Sequence, residues 1–205
     1  MTKKIQFGKF QLGKIRFDKL SKIQIGAGVF VLALALFAIV VALQPSEFQI
    51  ARTTTITAPQ RAVFDQVNDL RKWDAWSPWA KLDPAAKVSF EGAKAGAGAV
   101  FKWSGNDKVG EGKMTVTDSK PASLVKLKVD FVKPFAGSNV SEFSFKPDGK
   151  GTAVTWNVSG RNDNFFAKAI CLAMNMQASL GGEMEKGLAQ MKAVAEGRGS
   201  FAKSR

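Results

Sequence analysis

The run Ser123-Leu124-Val125-Lys126-Leu127-Lys128-Val129-Asp130-Phe131 decides the fold. Val125, Leu127, Val129 and Phe131 alternate with Lys126, Lys128 and Asp130, the period-2 pattern of a strand with one apolar and one wet face. Sheets of such strands are antiparallel, and their apolar face needs a cover.

Similar runs lie on either side. Upstream, Gly112–Ser119, Ala99–Ser104 and Val88–Glu91 read as strands, with Ala99, Phe101 and Trp103 on one face and a turn region at Gly105–Lys108. Downstream, Asn139–Lys146 carries Phe143 and Phe145, Pro147-Asp148-Gly149 reads as a turn, and Thr152–Ser159 aligns Val154, Trp156 and Val158. Phe48–Ile56 is rich in Thr and β-branched residues and is the first strand. Two short helices follow it. One opens at Thr57-Ala58-Pro59 and aligns Val63, Phe64 and Val67, and the other covers Asn68–Trp79. The cover is a long carboxy-terminal helix, Asn164–Glu196, on which Leu180, Met184, Leu188, Met191 and Val194 form an apolar stripe. Gly181-Gly182 interrupts that stripe and predicts either a kink or a close approach of the sheet. Seven strands with helices segregated from them make an α+β domain.

Ile56-Thr57-Ala58-Pro59 leading to Val63-Phe64, then Trp73-x-x-Trp76-Ser77-Pro78-Trp79, resembles the SRPBCC superfamily, the START-like, polyketide cyclase/dehydrase-like group, in its bacterial members. Trp103-Ser104-Gly105-Asn106, Gly110-Glu111-Gly112, Phe131-x-Lys133-Pro134-Phe135 and Gly187-Leu188 carry the same resemblance, which covers residues 48–196. It implies a helix-grip fold, a curved antiparallel sheet around a long helix enclosing an apolar cavity. It implies no particular reaction, because the superfamily mixes lipid carriers, cyclases, hydroxylase subunits and regulators.

Ahead of this domain, Ile23–Leu43 holds no charge. Twenty-one helical residues span about 31 Å, the thickness of a hydrocarbon core, and Pro45 stops the helix outside it. A buried core helix would show a polar stripe, and this one has none. A cleaved signal peptide, with Val40-Val41-Ala42 as the cleavage site, is the rival reading, but its apolar region would be shorter. The expectation is one retained transmembrane helix in a single-pass membrane protein. Its amino terminus is cytoplasmic by the positive-inside rule, and the domain extracytoplasmic, periplasmic in a bacterium. The linker 44–47 reaches about 14 Å at most, so the domain is expected to sit on the bilayer.

The net charge is +13, and residues 1–22 concentrate it, with Lys3, Lys4, Lys9, Lys14, Arg16, Lys19 and Lys22 against Asp18 alone. This basic cytoplasmic arm repeats an apolar-x-apolar-Gly/Asp-Lys unit at Ile5–Lys9, Phe10–Lys14 and Ile15–Lys19. A period of five gathers no apolar face on a helix or strand. The arm is therefore expected to lie on anionic inner-leaflet lipids, with docking to a protein partner as the other reading. No nucleic-acid module frames it, and no nucleic-acid partner is expected. Residues 197–205 form a short basic tail.

Histidine and tyrosine are absent and Cys171 is the single cysteine. That removes Ser-His-Asp and Cys-His catalysis, histidine-ligated metals, intrachain disulfides and cysteine zinc sites, and neither a metal nor another cofactor is expected. Acid or base candidates are few. Glu91, Glu111 and Asp130 fall on the wet face, Asp107 in a turn, and Glu183 and Glu185 on the helix surface; no catalytic residue is assigned. Cys171 reads as a buried inert thiol. Asn139-Val140-Ser141 and Asn157-Val158-Ser159 match glycosylation sequons, poor signals inside strands. Trp73, Trp76 and Trp79 read as packing between the short helices, with gating of a cavity or contact with headgroups as the other readings. Met174 and Met176, with Met184 and Met191, add soft, adaptable packing.

The expected ligand cavity is lined by Phe90, Phe101, Trp103, Met114, Leu127, Val129, Phe143, Phe145, Trp156 and Met184, which equally suit a core. The function expected is binding of a hydrophobic small molecule or lipid at the membrane. An accessory subunit of a membrane complex and a cyclase- or hydrolase-like enzyme remain the alternatives.

Overall fold

A computed structural model describes residues 21–173 and 175–198; the basic arm up to residue 20, Met174 and the tail from residue 199 lie outside the described residues. The chain divides into two units at Leu43/Gln44. The first is helix α1, Lys22–Leu43, with a mean hydropathy of 2.8 over its most apolar window. It is long and apolar enough to cross a membrane. All but one of its side chains are at least partly exposed, so it is not the core helix of a soluble domain.

The second unit runs β1 (Glu47–Ile56), α2 (Gln60–Asn68), a 3-10 helix (Leu70–Ala75), β2 (Lys87–Gly92), β3 (Ala99–Ser104), β4 (Glu111–Lys120), β5 (Leu124–Lys133), β6 (Gly137–Asp148), β7 (Gly151–Arg161), α3 (Phe165–Ala173) and α4 (Met176–Ala195). Every strand lies within two residues of its sequence expectation. All pairings are antiparallel, in the order β1-β7-β6-β5-β4-β3-β2. Two register shifts in the β4–β5 ladder, at Glu111/Gly112 and Val116/Asp118, bend this sheet, as bulges do by adding a residue to one strand. The helix-grip architecture is thus present, with three differences of detail.

The turn expected at Pro147–Gly149 lies one step later. Pro147 and Asp148 belong to β6, and Gly149, at φ 58°, makes the turn with Lys150. The second short helix is a single 3-10 element. Asp69 caps it by accepting from the Arg71 N–H, and the indoles of Trp73 and Trp76 donate back to the carbonyls of Val67 and Gln66 at 2.9 and 3.0 Å. These bonds fold the segment onto α2 and prevent a longer helix. The long carboxy-terminal helix is two helices. Its break is at Asn175, in the left-handed region at φ 43°, which asparagine tolerates better than most residues. The Gly181-Gly182 pair does not kink α4. Gly181 instead lets α4 lie against the Arg52 guanidinium of β1, which would collide with a Cβ there.

One half of the concave face is closed. α2 rests on β5–β7, and α4 runs along β1, with Gly187 close to Pro78 and to the Trp156 ring of β7. Between them Trp73, Trp76, Phe143 and Trp156 interlock with ring centroids 4.6–6.0 Å apart. The other half has no such cover.

Candidate functional site

Where the cover stops, the concave face of β2–β7 opens into a cavity of about 1890 Å³, bounded opposite by α3, the start of α4 and the segment from Leu70 to Ala86. Strand alternation sends alternate side chains of each strand into it. Phe90, Phe101, Trp103, Met114, Val129 and Trp156, six of the expected residues, line it. Leu127, Phe143, Phe145 and Met184 do not reach it. Each is at most 2% exposed in the core beneath α2 and α4. For the three strand residues the physical reason is position along the strand, since the same phase that faces the cavity at one end runs under the helices at the other; Met184 lies on the face of α4 packed into the core.

The cavity wall is aromatic. Phe101 lies 5.3 Å from Phe90 and stacks 5.9 Å from Trp103, whose edge meets Phe131. The Trp103 indole donates to the Val109 carbonyl at 2.9 Å, which holds the ring in place. Of the tryptophan trio, Trp76 is fully buried, while Trp73 and the partly buried Trp79 contribute to both core and cavity wall. At the mouth, Phe135 and Phe166 line the opening with 67% and 78% of their surface exposed. Met176 also lines it and is exposed, whereas Met184 and Met191 are buried.

Charges stay at the periphery, and most are engaged. Arg161 bridges Glu47 and Asp163, which raise its already high pKa, Asp163 the more. Lys133 pairs with Glu111 at 2.7 Å, and that bond raises the lysine pKa. Arg71 stacks over Phe90 at 4.8 Å, and Lys168 donates to the Gln44 carbonyl at 2.7 Å. Of the acid/base candidates, Glu91, Glu183 and Glu185 pair with Lys102, Lys186 and Arg52. Asp130 is held below its usual range by the Ser138 hydroxyl and by Lys128. Asp74 and Asp107 line the cavity but are exposed, and Asp83 is tied to the Ala85 and Asn106 N–H groups. No carboxylate thus stands ready in the cavity interior among the described residues. No cluster of metal-ligating side chains occurs among them either.

Cys171 differs from expectation. It is half-buried, lines the cavity and receives the Asn162 amide at 3.3 Å. The reason is that α3 stands off the core and buries none of its residues fully. Sequence reasoning also missed Phe135, Phe166, Asn139 and Ser141 as cavity residues. The last two had a signal: they continue the inward phase of Phe143 and Phe145.

A family model described as polyketide cyclase/dehydrase and lipid transport matches residues 47–196. No curated protein sequence matches the chain. Solved structures share the fold at low identity. A Mesorhizobium loti protein aligns at TM-score 0.54 and 14% identity over 72% of this chain and 96% of its own. The Aha1 protein of Colwellia psychrerythraea, solved as a dimer, aligns at 0.53 and 16% over 74% and 98%. A Chromobacterium violaceum protein aligns at 0.52 and 13% over 75% and 99%.

Proposed function

This chain belongs to the polyketide cyclase/dehydrase and lipid-transport family, and we propose that its domain binds a hydrophobic small molecule or lipid while α1 anchors it in a membrane. The observation that carries the reading is the aromatic-walled cavity of about 1890 Å³, well above the roughly 300–1,000 Å³ of ordinary small-molecule pockets. That volume suits a long acyl or isoprenoid chain. Among the described residues the interior offers dispersion contacts and no positioned acid or base, which favours binding over turnover.

The membrane part rests on chain path. Gln44, Pro45 and Glu47, which follow the apolar helix in the chain, line the cavity. With α1 across a bilayer, the short connection keeps the domain within reach of the lipid phase, the source from which the cavity takes its ligand. The topology is amino terminus cytoplasmic, domain extracytoplasmic, by the excess of lysine before α1. The basic arm of residues 1–22 then lies on anionic inner-leaflet lipid.

The test is native mass spectrometry of the full chain from mild detergent, with lipid extraction alongside. A retained hydrophobic molecule is expected. An empty protein whose thermal stability ignores added lipid and quinone overturns the reading.

A further inference from the structure

Along β6 the inward phase changes character. Phe145 and Phe143 enter the core, and the same phase continues as Ser141 and Asn139, both lining the cavity. Away from the strand ends these are the polar side chains that the sheet gives to the cavity. Their partners in register are apolar or glycine: Leu127 and Val158 beside Ser141, Val129 and Gly160 beside Asn139.

Ser141 is 4% exposed, and its Oγ accepts a 2.7 Å hydrogen bond from the Trp156 indole N–H. That bond occupies a lone pair and leaves the hydroxyl proton with no acceptor among the described residues. An unspent donor in a buried apolar setting costs free energy until a partner arrives. Asn139 is half-buried, and its amide also has no partner among the described residues. Its direction is clear from Gly160, where a Cβ would stand 3.3 Å from the Asn139 Cβ and 2.8 Å from the Phe48 ring, on the concave side.

We propose that Asn139 and Ser141 form a neutral two-donor subsite for an uncharged carbonyl oxygen of the ligand, of the keto, quinone or ester kind. Residues two apart on a strand point the same way about 7 Å apart, a spacing at which the longer Asn139 amide and the Ser141 hydroxyl can both reach one oxygen lying between them above β6. A carboxylate or phosphate does not belong here. The cations nearest to this subsite in the sheet, Arg161 and Lys133, are engaged with acidic partners at the strand ends, and the cavity's remaining cations, Arg71, Lys81, Lys108 and Lys168, come from helices and loops rather than from the sheet; an ion buried without its counter-charge is expensive. The ligand thus lies with its chain along Phe101 and Trp103 and its carbonyl over the centre of the sheet.

This inference rests on the ligand-binding reading and is tested separately from it. The full chain in mild detergent is titrated with a long-chain methyl ketone and with the alkane of equal carbon count, against protein-free micelles. The ketone is expected to bind about fivefold tighter, the scale of one or two buried hydrogen bonds. Ser141→Ala and Asn139→Ala are each expected to remove most of that preference, read as the ratio of ketone to alkane affinity within the same variant. Asn139→Ala is decisive, because Asn139 holds no other element, whereas Ser141→Ala also strips Trp156 of its acceptor. Equal binding of ketone and alkane, a preference that survives both variants, or a copurified ligand without a carbonyl overturns the subsite and leaves the cavity reading standing. Failure of both probes with no retained molecule overturns the two together.

Discussion

The two ends of the concave sheet face begin from the same alternation of aromatic and polar residues and finish differently. Beneath α2 and α4, Phe143 is fully buried against Trp73, Trp76 and Trp156. At the other end, Phe101 keeps a similar aromatic environment of Phe90 and Trp103 but borders open space. Period 2 assigns a side chain to a face; whether that face is filled depends on where the helices land. Here α4 begins at the Asn175 break and is held close to β1 by Gly181, so its stripe covers one half and leaves the other to a ligand.

The sharpest way to break this contrast is a pair of truncations. Phe143→Ala is expected to cost about 4 kcal/mol, the scale for removing a buried ring and leaving a cavity. Phe101→Ala should cost about 1 kcal/mol, since part of its surface is already solvated, while lowering ligand retention. Urea denaturation of both variants reads this directly, and similar losses would dissolve the distinction between a filled and an open end.

Openness of the cavity does not mean a loose backbone. Gly112 lies in the open half, and a Cβ there would stand 2.5 Å from the Asp130 carbonyl and 2.6 Å from the Trp103 ring. Gly112→Val is therefore expected to destabilise by about 2 kcal/mol, the scale of overpacking against atoms that cannot withdraw. Gly181→Ala in the closed half should be close to neutral. Its obstacle is the end of a flexible arginine, and the roughly 1 kcal/mol gain in helix propensity offsets loss of the exposed Arg52–Glu185 pair. Thermal melts of the two variants sharpen the comparison, and a larger loss for Gly181→Ala would mean that Arg52 is fixed in place.

How far the sequence spoke follows the same division. Strands were legible because alternation is local, and β5 alone displays it over Val125, Leu127, Val129 and Phe131. The carboxy-terminal break was not, because glycine marks low helix propensity whereas Asn175 acts through a left-handed backbone that only the packed structure requires. The tryptophan segment read as a helix since its indole bonds to Val67 and Gln66 are invisible in the residue pattern. Among the site residues, Phe90, Phe101 and Trp103 could be placed on the inner face but not told from Phe143 and Phe145, because coverage is a tertiary property. Asn139 and Ser141 carried their own signal, two polar residues in an apolar phase, and a glycosylation sequon hid it.

The smallest expected effect is on the convex back of the open half. The Ser138 hydroxyl donates to Asp130 at 2.5 Å and Lys128 approaches at 3.0 Å, and these hold the carboxyl below its ordinary value of 3.8. Because the folded value lies below the unfolded one, the stabilisation is complete above about pH 4 and is lost as pH falls through the lowered folded value. Asp130→Asn should therefore cost about 0.5 kcal/mol near neutrality, the scale of a partly exposed ion pair, and cost less as the pH is taken toward 2. Urea denaturation of wild type and variant across that range measures the gap. A gap that closes in acid assigns the contribution to charge. A gap that persists assigns it to the packing of Ser138 against the strand, and makes the back of the open half as geometry-bound as the Gly112 contact on its inner face.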